Sequence, residues 1–177
     1  PTRRSSDLAE VEQTGVLRPE LREEIKAKAI KAGLYAANMP AEAGGAGLDT
    51  LTWVLFEKEL GRANYALHWN CVSRPSNILM ACVGEQRDKY LLPSVTGEKI
   101  DCLAMTEPGV GSDVRGMKCF AKQDGDYFVI NGTKHFISHA DEANFVILFA
   151  ATGEEETSRG KKKLITAFLV DKGTPGY

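Results

Sequence analysis

KCFAKQDGDYFVINGTKHFIS, residues 118–138, sets three short runs of aromatic and β-branched residues around two turn dipeptides. Asp124-Gly125 and Asn131-Gly132 supply the positive backbone φ that two-residue hairpins demand, so KCFAKQ, DYFVIN and KHFIS read as three hairpin-connected strands. Downstream, NFVILFA (144–150) and LITAFLVD (164–171) have the same composition and read as two more strands. ATGEEETSRGKKK (151–163) between them sets three acids and three lysines around a Gly/Ser centre, the pattern of a solvated hairpin loop.

Upstream of about residue 100 the period is helical. Leu21, Ile25, Ala29 and Ala32 form one stripe of a helix from Pro19 to about Lys31, with Pro19 suited to the first turn and Gly33 to the exit. NMPAEAGGAGLD (38–49) is a breaker-rich connection, and its AGGAG core reads as a linker. A second helix is expected from Thr50 to about Arg62, with Trp53, Phe56 and Leu60 on one stripe and Leu51, Val54 and Leu55 beside it. Residues 63–84 read as a third helical stretch, mostly buried and broken near Pro75. EQRDKYLLPSVTGEK (85–99) reads as a short amphipathic turn that Pro93 and Gly97 bring to an end. PTRRSS at the start is rich in Arg and Ser, as the end of an organelle transit peptide would be, but is too short to decide that, and is read as a frayed terminus. The expected architecture is α+β, with an all-helical domain over 1–100 and an antiparallel, barrel-like β-domain over 101–177.

Composition excludes several classes. The 177 residues, 43% apolar and 26% charged, are ordinary globular usage. A net charge of -2 gives no electrostatic footprint for nucleic acid, and no apolar run approaches the roughly 20 residues of a membrane span. Cys71, Cys82, Cys102 and Cys119 lie far apart without a C-x-x-C pair, so they read as buried thiols in a reducing compartment.

CLAMTEPGVGSD (102–113) lies where the period changes. Gly109 and Gly111 give G-x-G, but Val114 fills the next glycine position and a strand follows where a helix is needed, so this is no dinucleotide fingerprint. Two readings remain open on chemistry alone. One is a nest of exposed amides, with Thr106 and Ser112 as hydroxyl donors, built for an anionic ligand. The other is a tight turn whose Ser and Asp cap their own backbone.

MTEPGVGSD resembles the flavin-binding signature of the acyl-CoA dehydrogenase family, a TEPxxGSD segment, and GDYFVINGTKHFIS resembles its second flavin segment, an INGxKxWIT run. GGAGL, FEKELGRAN and QRDKYLLPSVTGE resemble its N-terminal helical domain in the right order, and the resemblance runs from about Leu17 onward. It implies FAD as cofactor and an acyl-CoA thioester as substrate. Leu103, Ala104, Met105, Thr106, Gly111 and Ser112 would lie along FAD, Thr106 at the pyrimidine edge and Ser112 by the pyrophosphate and the acyl-CoA. In the second segment Phe136 would pack on the ring beside Ile137, and Ser138 would donate toward N5 and O4. The family often has Trp at position 136 and Thr at 138; both replacements keep an aromatic face and a hydroxyl. Leu103 stands where some members have tyrosine.

The resemblance also implies α,β-dehydrogenation with a glutamate base from a C-terminal helical domain that lies beyond Tyr177. No catalytic base is therefore assigned here, and the fragment alone is expected to be inactive. Glu107 is the tempting local carboxylate but is expected to be structural. Electron-transfer flavoprotein as acceptor, a homotetramer, and a bacterial cytoplasmic or mitochondrial or peroxisomal matrix location follow from the same resemblance. Acyl-CoA oxidases, nitroalkane oxidases and a non-catalytic binding module of the same fold are the alternatives. His135 and His139 fall four apart, a metal spacing on a helix, but their strand-like context argues against a metal. His68 and Trp69 read as packing residues.

Overall fold

The computed structural model describes residues 3–62, 75–158 and 160–177. The chain divides into two compact units, Pro1–Lys99 and Ile100–Tyr177.

The first unit is helical. A helix absent from the sequence reading, α1 (Arg3–Thr14), stands where a frayed terminus was expected. Val11 from this helix is buried with Leu17 and Leu21, with Ile25 packed against them. Arg18 joins the same helix through Asp7 (2.7 Å) and Glu10 (3.0 Å). One buried valine and two exposed ion pairs leave little periodicity to detect. In contrast, α2 (Pro19–Lys31) has the expected bounds. Its exit is closed by the Leu34 amide on the Ala29 carbonyl and the Gly33 amide on the Ile30 carbonyl, the paired bonds of a glycine-terminated helix.

The expected linker is instead packed. Met39 and Ala43 are buried, and a Cβ on Gly45 would sit 2.2 Å from the Met39 carbonyl oxygen, so only glycine fits there. α3 (Thr50–Leu60) begins at Asp49, whose carboxylate accepts from the Thr52 amide and hydroxyl, both at 2.9 Å. Those bonds hold the Asp49 carboxyl below its ordinary range, the Thr52 amide acting most strongly. Trp53, Phe56 and Leu60 are half-buried, while Leu51, Val54 and Leu55 are exposed. Of the expected third helix, residues 63–74, with His68, Trp69 and Cys71, lie outside the described residues; Asn77–Ala81 is a 3₁₀ turn.

Pro93 does not end the next helix. A π-type turn (Arg87–Leu91) runs directly into α4 (Leu92–Thr96), and Gly97 ends it. Proline has no amide to give the Lys89 carbonyl four residues earlier, and that carbonyl accepts the Lys99 ammonium at 2.8 Å.

The second unit is an open five-stranded sheet. β1 (Asp101–Ala104), β2 (Phe120–Asp124) and β3 (Tyr127–Asn131) are short; β4 (Phe145–Thr157) and β5 (Gly160–Asp171) form a long hairpin. The order is β1-β4-β2-β3, with β5 also pairing β4. The expected antiparallel pairing holds for β2–β3 and β4–β5, but β1 runs parallel to β4, and β2 meets β4 in parallel at Phe120–Ala151. Each junction has a physical reason. β2 and β3 are joined by the two-residue loop Gly125–Asp126, one residue on from the Asp124-Gly125 dipeptide that signalled it, with Gly125 supplying the positive φ of 59°. Forty residues separate β1 from β4, ample for a parallel return.

Asn131-Gly132 turns no hairpin, and KHFIS is no strand: residues 132–140 are irregular. The charged stretch 151–163 is not a loop. Glu154, Glu155 and Glu156 face Lys163, Lys162 and Lys161 across a ribbon whose ladder runs on to the Thr157–Gly160 pair, with a bulge between Ala151 and Gly153. Buried residues gather in two clusters along β4, with Leu148 packed against both. Cys102, Ala104, Ala143 and Val146 form one cluster, and Met117, Cys119, Ala121 and Ala150 the other.

Candidate functional site

β1 delivers Leu103 and Ala104 to a turn that occupies residues 105–113. The turn closes on itself through a reciprocal pair, the Glu107 amide on the Val110 carbonyl (3.0 Å) and the Val110 amide on the Glu107 carbonyl (3.1 Å). The side chain of Glu107 points inward and the residue is 6% exposed. Its Oε2 accepts from the Lys118 amide (2.7 Å), and its Oε1 from the Cys119 amide (2.9 Å) and from Lys134 Nζ (2.9 Å). Burial pushes the Glu107 carboxyl up, but the two amides and the Lys134 ammonium outweigh it and hold the group below its ordinary range. Buried and held by three fixed donors, this carboxylate is kept ionised by the fold and is not presented to a substrate. Glu107 is a structural anchor, as the sequence reading expected.

The same anchor brings the second segment to the first. Lys134 Nζ also donates to the Met105 carbonyl (3.1 Å), and the His135 amide donates to the Thr106 carbonyl (2.9 Å). Gly132 approaches so closely that a Cβ there would lie 2.7 Å from Cys119 Cα. Thr106 and Phe136 are thus neighbours by backbone bonding. Phe136 takes a left-handed backbone, φ 57°, and its side chain is turned outward, 83% exposed. His135 stacks against one face of its ring, centroids 3.7 Å apart and planes 18° from parallel.

Of the other anticipated residues, Ile137 packs on the Cys102–Val146 cluster and Met105 on the Met117–Ala150 cluster. Ser138 is exposed just past them. Gly111 and Ser112 stand on the exposed limb of the turn, and nothing lies within 4 Å of where a Cβ on Gly111 would be. Asp113 caps the Arg115 amide at 3.2 Å, as the plain-turn reading foresaw, but Ser112 caps nothing. Among the described residues, the hydroxyls of Thr106, Ser112 and Ser138 make no hydrogen bond to the chain.

A cavity of about 930 Å³ opens in this unit, walled by Ala104, Ile130, Ile137, Val146, Phe168 and Tyr177 among others. Size alone would make it the first choice for a ligand. Yet only Ala104 and Ile137 of the anticipated residues reach it, and the three spare hydroxyls do not. Cys102 and Cys119 lie in its wall, both thiols pushed up by burial and so unreactive. The outward donor set is the better site. An exposed aromatic face, three unused hydroxyls and an open glycine backbone are groups that suit a planar heteroaromatic ring joined to an anionic linker, so the residues fit a flavin dinucleotide.

Lys134 is the residue that sequence reading missed. Its one signal was its place in the second segment, beside residues singled out for the ligand. Among the described residues no cluster of His, Cys, Asp and Glu could hold a metal, and His139 lies 3.7 Å from Glu142 instead. No helix among them is long and apolar enough to cross a membrane.

Comparison with known proteins matches residues 5–98 to the N-terminal domain of acyl-CoA dehydrogenases and residues 102–177 to their middle domain. Relatives include the 3-(aryl)acrylate reductase of Clostridium sporogenes, 36% identical over 89% of this chain and 42% of that one. The caffeyl-CoA reductase–Etf complex subunit CarC of Acetobacterium woodii is 35% identical over 96% and 44%. The mitochondrial short-chain specific acyl-CoA dehydrogenase of Bos taurus is 38% identical over 81% and 35%. The chain therefore spans less than half the length of these curated relatives. Among solved structures, the FAD complex of PigA superposes with a TM-score of 0.77 at 28% identity, covering 97% of this chain and 44% of that one. An acyl-CoA dehydrogenase complexed with FAD from Bacillus anthracis gives 0.67 at 31%, covering 88% and 27%.

Proposed function

The chain belongs to the acyl-CoA dehydrogenase family, and on that premise we propose that it forms the FAD-binding part of an enzyme that interconverts an acyl-CoA thioester and its α,β-unsaturated counterpart. The observation that carries this reading is the exposed Phe136 ring, held in a left-handed backbone, its segment bonded to Thr106, in a unit where the hydroxyls of Thr106, Ser112 and Ser138 make no bond to the described chain. A fold with no ligand to serve gains nothing from an exposed phenyl ring at a strained position, which weighs against a non-catalytic module.

FAD, when bound, supplies the two-electron acceptor. The chain's own residues do the rest. Phe136 packs on the ring and keeps water from that face, with Ile137 fixing the segment beneath it. Thr106 and Ser138 donate to the ring edges, where added electron density is stabilised by donors already in place. Leu103, Ala104 and Met105 carry the backbone along the ring. Gly111 and Ser112 receive the pyrophosphate, and Ser112 faces the acyl-CoA. No base is assigned to this chain: Glu107 is spent.

The two reductases among the relatives favour a second reading, in which the same residues serve the reverse, reducing direction. CarC's description as part of an Etf complex supports electron-transfer flavoprotein as the redox partner. A mitochondrial relative supports a matrix location or its bacterial counterpart, the cytoplasm. A homotetramer and a role in fatty-acid metabolism complete the proposal.

Anaerobic titration of the purified intact protein with acyl-CoA esters tests it. A flavin band near about 450 nm should bleach with one ester class, and readmitted air should restore the band slowly; fast reoxidation would indicate an oxidase. A colourless protein that FAD does not reconstitute would sink the cofactor assignment.

A further inference from the structure

We propose that the Glu107–Lys134 pair is a positioning device for the bound cofactor, a role that rests on the FAD reading above. Three pieces of chain converge on it. Glu107 belongs to the first ligand segment and is the residue after Thr106. Lys134 belongs to the second and stands two residues before Phe136. The amides of Lys118 and Cys119, at the entry to β2, hold the carboxylate from the third side. Lys134 then ties back to the Met105 carbonyl, and the His135 amide to the Thr106 carbonyl. The ring-edge donor at position 106 and the aromatic platform at 136 are therefore registered through one buried ion pair, its side chains 4% and 8% exposed.

Energetics favour a geometric role over a merely stabilising one. Enclosing two charges costs desolvation that their attraction only partly repays, and apolar side chains of similar volume often stabilise a fold as well or better. What an ion pair adds is a fixed distance and direction, because each of its hydrogen bonds is aimed. The second segment needs that. It carries no strand pairing over residues 132–140, yet it must hold Phe136 at φ 57°, which persists only where the surroundings dictate it. Lys134 and His135 are the bonded residues that immediately precede it.

The test compares Lys134→Met, Lys134→Arg and the double variant Glu107→Gln/Lys134→Met with the unaltered intact protein, below the unfolding temperature of each. FAD dissociation constant, visible circular dichroism of bound flavin and unfolding midpoint are the readouts. Lys134→Met should loosen FAD at least about tenfold and alter the flavin dichroism. Lys134→Arg keeps the charge and donors but not the single-atom geometry, so its affinity should fall between those of the unaltered protein and Lys134→Met. The double variant should recover unfolding midpoint relative to Lys134→Met without recovering affinity.

Unchanged affinity and dichroism in Lys134→Met, or affinity that tracks the midpoint through all three variants, would overturn the proposal. If Lys134→Met does not fold, Glu107→Asp decides: retracting the carboxylate by one methylene should loosen FAD several-fold in a folded protein, and no change would refute the role. An unaltered protein that binds no FAD would overturn the functional reading itself, a result distinct from tight binding that ignores these substitutions.

Discussion

Glu107 sits in the first segment proposed to meet FAD, yet its side chain is committed to the fold. Its carboxylate accepts three hydrogen bonds in a buried setting. In Glu107→Gln one acceptor oxygen becomes a donor, which faces an amide or the ammonium, and Lys134 keeps an uncompensated charge. A loss of about 3–5 kcal/mol in denaturant unfolding at neutral pH is expected. The pH dependence has a definite sign. The folded carboxyl lies below its unfolded value, so its contribution is complete above about pH 4.3 and fades as the pH falls through the lower folded value. The stability gap between the unaltered protein and Glu107→Gln should therefore narrow on acidification below that point; a gap that widened would contradict the assignment.

Gly132 makes a second residue-level case. Gly132→Ala would place a methyl 2.7 Å from Cys119 Cα and Cβ, both on the rigid start of β2, so an unfolding loss of about 1–3 kcal/mol is expected. Asn131-Gly132 announces a special backbone position in the sequence. Whether the glycine serves a turn or a close approach depends on Cys119, thirteen residues away.

Secondary elements were legible where local chemistry decided them. α2 has its proline start, its apolar stripe and its glycine exit, all readable within fifteen residues. The β2–β3 hairpin likewise follows from Asp124-Gly125. α1 was not legible, because Val11 alone anchors its described apolar face and its partners Leu17 and Leu21 lie beyond the helix. KHFIS has strand composition but no partner to pair with, and β propensity expresses fit to a neighbouring strand more than a backbone preference.

The charged ribbon was misread for the converse reason. Three acids followed by three lysines look like a solvated loop until the register sets each acid opposite a lysine. Glu155 and Lys162 meet at 2.9 Å, but both are largely exposed, so Glu155→Gln should cost no more than about 1 kcal/mol and less in high salt. Changing Lys161 and Lys162 together to Glu sets like charges opposite at two steps and should cost about 0.2–1 kcal/mol per pair. Thermal unfolding at low and high salt would separate the two cases. Salt-independent losses would mean that the ribbon is held by its backbone ladder alone.

At the scale of the whole chain, each compact unit has its own buried clusters: Val11, Leu17 and Leu21 in the helical unit, and the two clusters along β4 in the sheet unit. The succession of helices and then strands was legible because the hydrophobic period changes. The parallel course of β1 beside β4 was not, since pairing between strands forty residues apart leaves no local mark. Every residue proposed to meet FAD falls in the sheet unit. A ligand that binds only the folded form stabilises it by about 2.7 kcal/mol at a hundredfold excess over its dissociation constant. Amides that exchange through opening of that unit should then slow by about a hundredfold. Hydrogen exchange with and without FAD is therefore expected to slow in β1, in β4 and across residues 105–138, and to leave α2 unchanged. Slowing of α2 to the same degree would show that the units open as one. Slowing of α2 alone would move the cofactor out of the sheet unit and refute the assignment of Thr106, Ser112, Phe136 and Ser138 together.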